Sequence, residues 1–135
     1  MQQHLRANDV SVGLVLCSPA QRTRDTWEGV RGGLSSDPEV RFAPAVYEAT
    51  ASALLDLVRE IDQRQYSILI VGHNPGIEEL AIDLIGDGVP KAVNRLRRGY
   101  PTGALAQLSV GVAWTDLDRG CAYLDSYVRP RDLLG

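Results

Sequence analysis

Ser67-Ile68-Leu69-Ile70-Val71-Gly72-His73-Asn74-Pro75-Gly76 carries an unbroken apolar run into a histidine, a proline and a glycine. An uninterrupted apolar run bounded by turn residues is the pattern of a strand buried on both faces of a parallel sheet. After it, Ile77, Leu80, Ala81, Leu84 and Ile85 recur at helical spacing, which predicts an amphipathic helix. Gly86-Asp87-Gly88 reads as the stop of that helix.

Upstream the same order appears again. Gly13-Leu14-Val15-Leu16-Cys17 predicts a second buried strand. Ser18-Pro19 reads as an N-cap followed by proline at the first helical position. The helix runs through Gln21, Arg22, Asp25 and Trp27 to Gly32-Gly33. Val40 to Ala43 suggests a short strand, and Ser52 to Arg64 an amphipathic helix.

Downstream, Arg95, Arg97 and Arg98 read as a polar connector before Gly99. Ala104 to Val110, Val112 to Trp114 and Cys121 to Leu124 predict a strand meander that finishes near Arg131. Strands alternating with helices, followed by late strands, predict α/β class. The expected architecture is a three-layer α/β/α sandwich on a mostly parallel sheet, in one domain over residues 1–135.

Composition narrows the functions. The chain has 135 residues, 14 basic against 17 acidic, for a net charge of −3. That balance disfavours a dedicated nucleic-acid or anionic-membrane binder. Arg95-Leu96-Arg97-Arg98 is the one basic cluster, and only Tyr100 lies near it to stack on a base. It reads as a solvated segment. No apolar run is long enough to cross a bilayer. Two cysteines, Cys17 and Cys121, make neither a disulfide framework nor a zinc motif. A cytoplasmic setting is expected.

Ligands of open α/β sheets sit at the carboxyl ends of the strands. Two such ends carry reactive side chains here. At the first, Arg22 lies one turn into a helix whose free N–H groups favour an anion. Taken alone, Arg22 reads equally as a surface arginine. At the second, His73 follows a strand with no polar residue after Ser67. It suits charge stabilisation or proton transfer, or simply the capping of the next helix. An arginine and a histidine at two such joints make a site for phosphoryl chemistry.

Leu16-Cys17-Ser18-Pro19-Ala20-Gln21-Arg22-Thr23-Arg24-Asp25-Thr26 resembles the Ser-Pro-x-x-Arg-x-x-x-Thr segment of the histidine phosphatase superfamily. Val71-Gly72-His73-Asn74-Pro75 resembles its second-histidine motif. Tyr100-Pro101-Thr102-Gly103-Ala104 looks like a strand entry in the SixA-type phosphohistidine phosphatase branch. The resemblance implies a phosphatase that works through a covalent phosphohistidine, without metal or other cofactor. Arg22 would bind phosphate and His73 would stabilise the transferring phosphoryl group, with Ser18 and Asn74 as further phosphate contacts. Phosphoglycerate-mutase-like members carry an acid in the region of Glu48, so Glu48 is a candidate acid. The SixA-type branch generally lacks that acid, because its phosphoramidate leaving group needs less protonation.

The family's nucleophile is a histidine in an Arg-His motif on the first strand. No Arg-His pair occurs here, and His4 is preceded by Gln3. His4-Leu5-Arg6-Ala7-Asn8 aligns with the end of the family's first helix. The expectation is therefore a family fold whose first strand is missing, with no nucleophile in this chain. Unpaired neighbours of that strand predict a homodimer through the exposed surface, a marginal chain, or a rearrangement.

Two functions remain. One is a phosphatase acting on a phosphohistidine protein or a phosphorylated small molecule. The other is a non-catalytic phosphate-binding or interaction module.

Overall fold

A computed structural model describes residues 1–133. In chain order the elements are α1 (Gln2–Ala7), β1 (Leu14–Cys17), α2 (Gln21–Val30), β2 (Glu39–Phe42), α3 (Ala51–Arg59), β3 (Ile68–Val71), α4 (Gly76–Leu84), β4 (Ile85–Gly88), α5 (Pro90–Arg98), β5 (Leu105–Val110) and β6 (Ala122–Val128). Short 3-10 turns occupy Arg31–Gly33, Pro44–Val46, Trp114–Asp116 and Pro130–Leu133. The chain forms two compact units, Met1–Ala49 with Asp62–His73, and Thr50–Ile61 with the chain from Asn74 onward. The class is mixed α/β, with a parallel sheet and flanking helices.

In the first unit, β1 is central because it can be buried on every side. Leu14, Val15 and Cys17 are wholly inaccessible. The sheet order is β2-β1-β3, and both pairings are parallel, with Val15 opposite Val40 on one side and Leu69 on the other. β2 carries Glu39 and Arg41, charges that suit an edge strand. Trp27 of α2 closes the core over Val12, Val15, Cys17 and Val71. Residues 2–7 do form a helix, as the sequence suggests. Leu5 is its buried residue, and the Arg6 guanidinium donates to the Gly32 carbonyl at 3.0 Å.

α2 starts later than Ser18-Pro19 predicts. Its N-cap is Ala20. Ser18 cannot cap it, because the hydroxyl and carbonyl of Ser18 are engaged elsewhere, as described below. Pro19 thus lies outside the helix.

The second unit holds a sheet of order β4-β6-β5. β5 and β6 are antiparallel, with Leu105 opposite Val128, and stand where the sequence suggests a meander of three strands. β4 and β6 are parallel, with Ile85 opposite Ala122 and Gly88 opposite Leu124. Ala92 and Leu96 of α5 pack against Leu124, Tyr127 and Ala81. The Thr50 hydroxyl accepts from the Ala53 N–H at 3.1 Å and caps α3.

Four expectations need correction here. Ile85 to Gly88 is a strand, not a helix stop. A Cβ on Gly86 would collide with the Gly120 carbonyl, so glycine is there for close backbone approach. Arg95, Arg97 and Arg98 lie on α5, not in a connector. Their polar faces mask a helix anchored by Ala92 and Leu96, with Val93 half-buried beside them. Trp114 opens a 3-10 turn, not a strand. The Arg59 side chain donates to the Leu117 carbonyl at 2.8 Å and holds that segment against α3. Finally, α3 ends at Arg59, not Arg64. Asp62 takes the Arg64 N–H at 2.9 Å in a local turn.

Candidate active site

β1 and β3 run parallel, with Cys17 opposite Val71. Their carboxyl ends therefore lie side by side. The Ser18 N–H donates to the Val71 carbonyl at 3.0 Å and continues the ladder one residue past the strands. Beyond it the two chains part, one toward α2 and one toward His73. This is where a parallel sheet opens a crevice for a ligand.

Ser18 is fully inaccessible to solvent. Its Oγ lies 2.8 Å from Nε2 of His73. The same oxygen accepts the Ala20 N–H at 3.3 Å. The Ser18 carbonyl accepts the Thr23 hydroxyl at 2.8 Å and the Cys17 thiol at 3.3 Å. Thr23, also buried, shares its proton with the Ala20 carbonyl at 2.8 Å. The joint is thus pinned from both sides. His73 is half-buried and stands T-shaped to the Tyr47 ring, with centroids 5.3 Å apart and planes at 83°.

Arg22 is the second residue of α2 and is exposed. Among the described residues no ion pair or hydrogen bond uses its guanidinium. Arg24, its neighbour, is committed: Nε donates to the Pro19 carbonyl at 2.8 Å, and the guanidinium lies 4.4 Å over the Phe42 ring. No side chain caps the start of α2, so first-turn N–H groups remain open to an anion. A free guanidinium, open amides and a fixed imidazole are each groups of the kind that bind a tetrahedral oxyanion.

The other sequence candidates are placed as follows. Glu48 is exposed, in a left-handed backbone conformation with φ of 50°. Its carboxylate has no hydrogen bond or ion pair among the described residues. Asn74 falls in the second unit, where Nδ2 donates to the Tyr100 carbonyl at 2.6 Å. His4 lies on α1; its Nδ1 is 3.4 Å from the Asn8 amide nitrogen, and its buried Nε2 has no hydrogen-bond partner among the described residues. Burial pushes the Cys17 thiol up from its ordinary value, against the lowering effect of Thr23 and Arg24. A thiol of that kind is not a nucleophile. Among the described residues no cluster of three or more His, Cys, Asp or Glu could hold a metal. No described helix is long and apolar enough to cross a membrane.

Two residues of the site escape sequence reasoning. Tyr47 carries no motif, and only tertiary packing sets its ring against His73. The role of Thr23 is equally silent, since a threonine in a helix's first turn is ordinary.

No protein-family model matches the chain. An uncharacterized protein of Mycobacterium tuberculosis is 35% identical over 129 residues, which cover 94% of this chain and 79% of that protein. An uncharacterized protein of Mycobacterium leprae is 31% identical over 128 residues, 94% of this chain and 77% of its own length. Among solved structures, a chain of Nakamurella multipartitia assigned as the phosphohistidine phosphatase SixA is 26% identical, with a TM-score of 0.73 over 96% of this chain and 77% of that one. A protein histidine phosphatase SixA complexed with tungstate shares the fold, at 20% identity and a TM-score of 0.68 over 98% and 78%. Both sequence motifs fall at the paired carboxyl ends of β1 and β3. The chain belongs to the histidine phosphatase superfamily, in its SixA-like branch.

Proposed function

We propose that this chain is a phosphatase-like domain that binds the phosphoryl group of a phosphohistidine protein or a small phosphomonoester. Arg22 and the open N–H groups of α2 would hold the phosphoryl oxygens. His73 would stabilise the charge that develops as the group transfers. In the complete reaction the phosphoryl group passes to a histidine nitrogen and then to water; no residue of this chain is assigned as that nucleophile. The observation that carries the reading is the Ser18 Oγ to His73 Nε2 bond of 2.8 Å at the paired ends of β1 and β3. It immobilises the imidazole beside the joint that leads to Arg22.

A second reading is a non-catalytic phosphate-binding module. The lack of any Arg-His pair in the chain favours it. Calorimetry with phosphate and tungstate, paired with an assay of a phosphohistidine peptide, separates the two. Binding with turnover supports the phosphatase, and binding alone supports the module. His73→Ala is expected to weaken oxyanion binding at least tenfold. Equal binding by this variant would remove His73 from the site.

A further inference from the structure

We infer that the Ser18 hydroxyl donates its proton to Nε2 of His73 and so locks the imidazole as the Nδ1–H tautomer. Ser18 is thereby a positioning residue, not a phosphate ligand. The argument is a complete account of its polar atoms. The Ser18 N–H is spent on the Val71 carbonyl, and the Ser18 carbonyl receives Thr23 and Cys17. Its Oγ already accepts the Ala20 N–H at 3.3 Å. What remains is one hydroxyl proton on a side chain with no solvent access. His73 Nε2, at 2.8 Å, is its one hydrogen-bond partner besides that amide among the described residues.

For the neutral imidazole two proton arrangements are open. In one, Nε2–H donates to Oγ, which would then accept two donors while its own proton had no acceptor. A buried donor left unmade loses its full hydrogen bond to water. In the other, Oγ–H donates to a bare Nε2, and every polar group of Ser18 is satisfied. The second arrangement puts the ring proton on Nδ1. No hydrogen bond among the described residues uses Nδ1; the Tyr47 ring stands T-shaped to the imidazole, with centroids 5.3 Å apart. The imidazole then has a single free donor. Resting on the phosphate reading above, that Nδ1–H is the group offered to a phosphoryl oxygen. The partner of one ring nitrogen selects the proton state of the other.

Long-range proton–nitrogen correlation of the 15N-labelled chain tests this, at about pH 9 and so above the usual imidazole range. The chain has two histidines, His4 and His73, and His73→Gln assigns the signals. The expected spectrum shows His73 with a bare Nε2 and a protonated Nδ1. Ser18→Ala should move the population toward Nε2–H by roughly fivefold, the worth of one hydrogen bond. Ser18→Thr, which keeps the hydroxyl, should restore it. A protonated Nε2 in the unaltered chain overturns the inference, whether or not the Ser18→Ala protein folds. So does a folded Ser18→Ala protein with an unchanged tautomer. Tungstate should perturb the Nδ1 signal. A locked tautomer that ignores tungstate leaves this inference standing and removes the phosphate-site reading.

Discussion

At the residue scale, the site divides its work between buried and exposed groups. Ser18 and Thr23 are buried and hold geometry; Arg22 is exposed and uncommitted. Removing each should therefore read out differently. Arg22→Ala is expected to reduce phosphate affinity by tenfold or more, since a hydrogen bond to a charged group is worth about 1.5–3 kcal/mol. Its stability should change by no more than about 0.5 kcal/mol, as for most surface changes. Calorimetry and urea unfolding on the same sample check both halves. Thr23→Val keeps the shape and deletes the hydroxyl that serves the Ser18 and Ala20 carbonyls. It should cost about 1–3 kcal/mol of stability, measured as a lower urea midpoint at constant slope.

At the element scale, α5 shows how little apolar surface a helix needs when that surface is well placed. Four of its nine residues are basic. Ala92 and Leu96 alone are buried, and Leu96 has no solvent access. Leu96→Ala is expected to cost about 2–5 kcal/mol, the range for a leucine deleted from a packed core. Arg97→Ala, one position on and exposed, should stay within about 0.5 kcal/mol. Chemical unfolding of the two variants side by side checks the contrast. β4 teaches a related point. Gly86 and Gly88 look like terminators, yet a Cβ on Gly88 would collide with the Leu124 and Val93 side chains. A glycine at a close approach and a glycine at a helix stop are the same letter. Only the neighbour across the sheet tells them apart.

At the scale of the whole molecule, stability should fall at alkaline pH through two tyrosines of the second unit. Burial against the α5 and β6 core raises Tyr100 to about 12, although the Ala106 amide opposes the shift. Tyr127, whose hydroxyl donates to the Gly99 carbonyl at 2.6 Å, is also raised, chiefly by burial. A tyrosine ionises near 10 in the unfolded chain. With the folded value raised, the contribution is complete below about pH 10 and is lost as pH climbs toward 12. Urea midpoints across that window should decline, and Tyr100→Phe should flatten the decline. The sequence alone determined the α/β class, β1 and β3, the helices after them, and Arg22 and His73 as the pair at two joints. Those features are written in local periodicity and in residue types set where a parallel sheet ends. Tertiary structure decided the rest. It turned Gly86 to Gly88 into a strand, made a helix of the arginine cluster, set Tyr47 on His73 and placed the Ser18 hydroxyl on Nε2. Each of these depends on a partner distant in sequence, from the 26 residues between Tyr47 and His73 to the 55 between Ser18 and His73. A local pattern holds no record of such a partner, because burial and hydrogen bonding act across space and not along the chain.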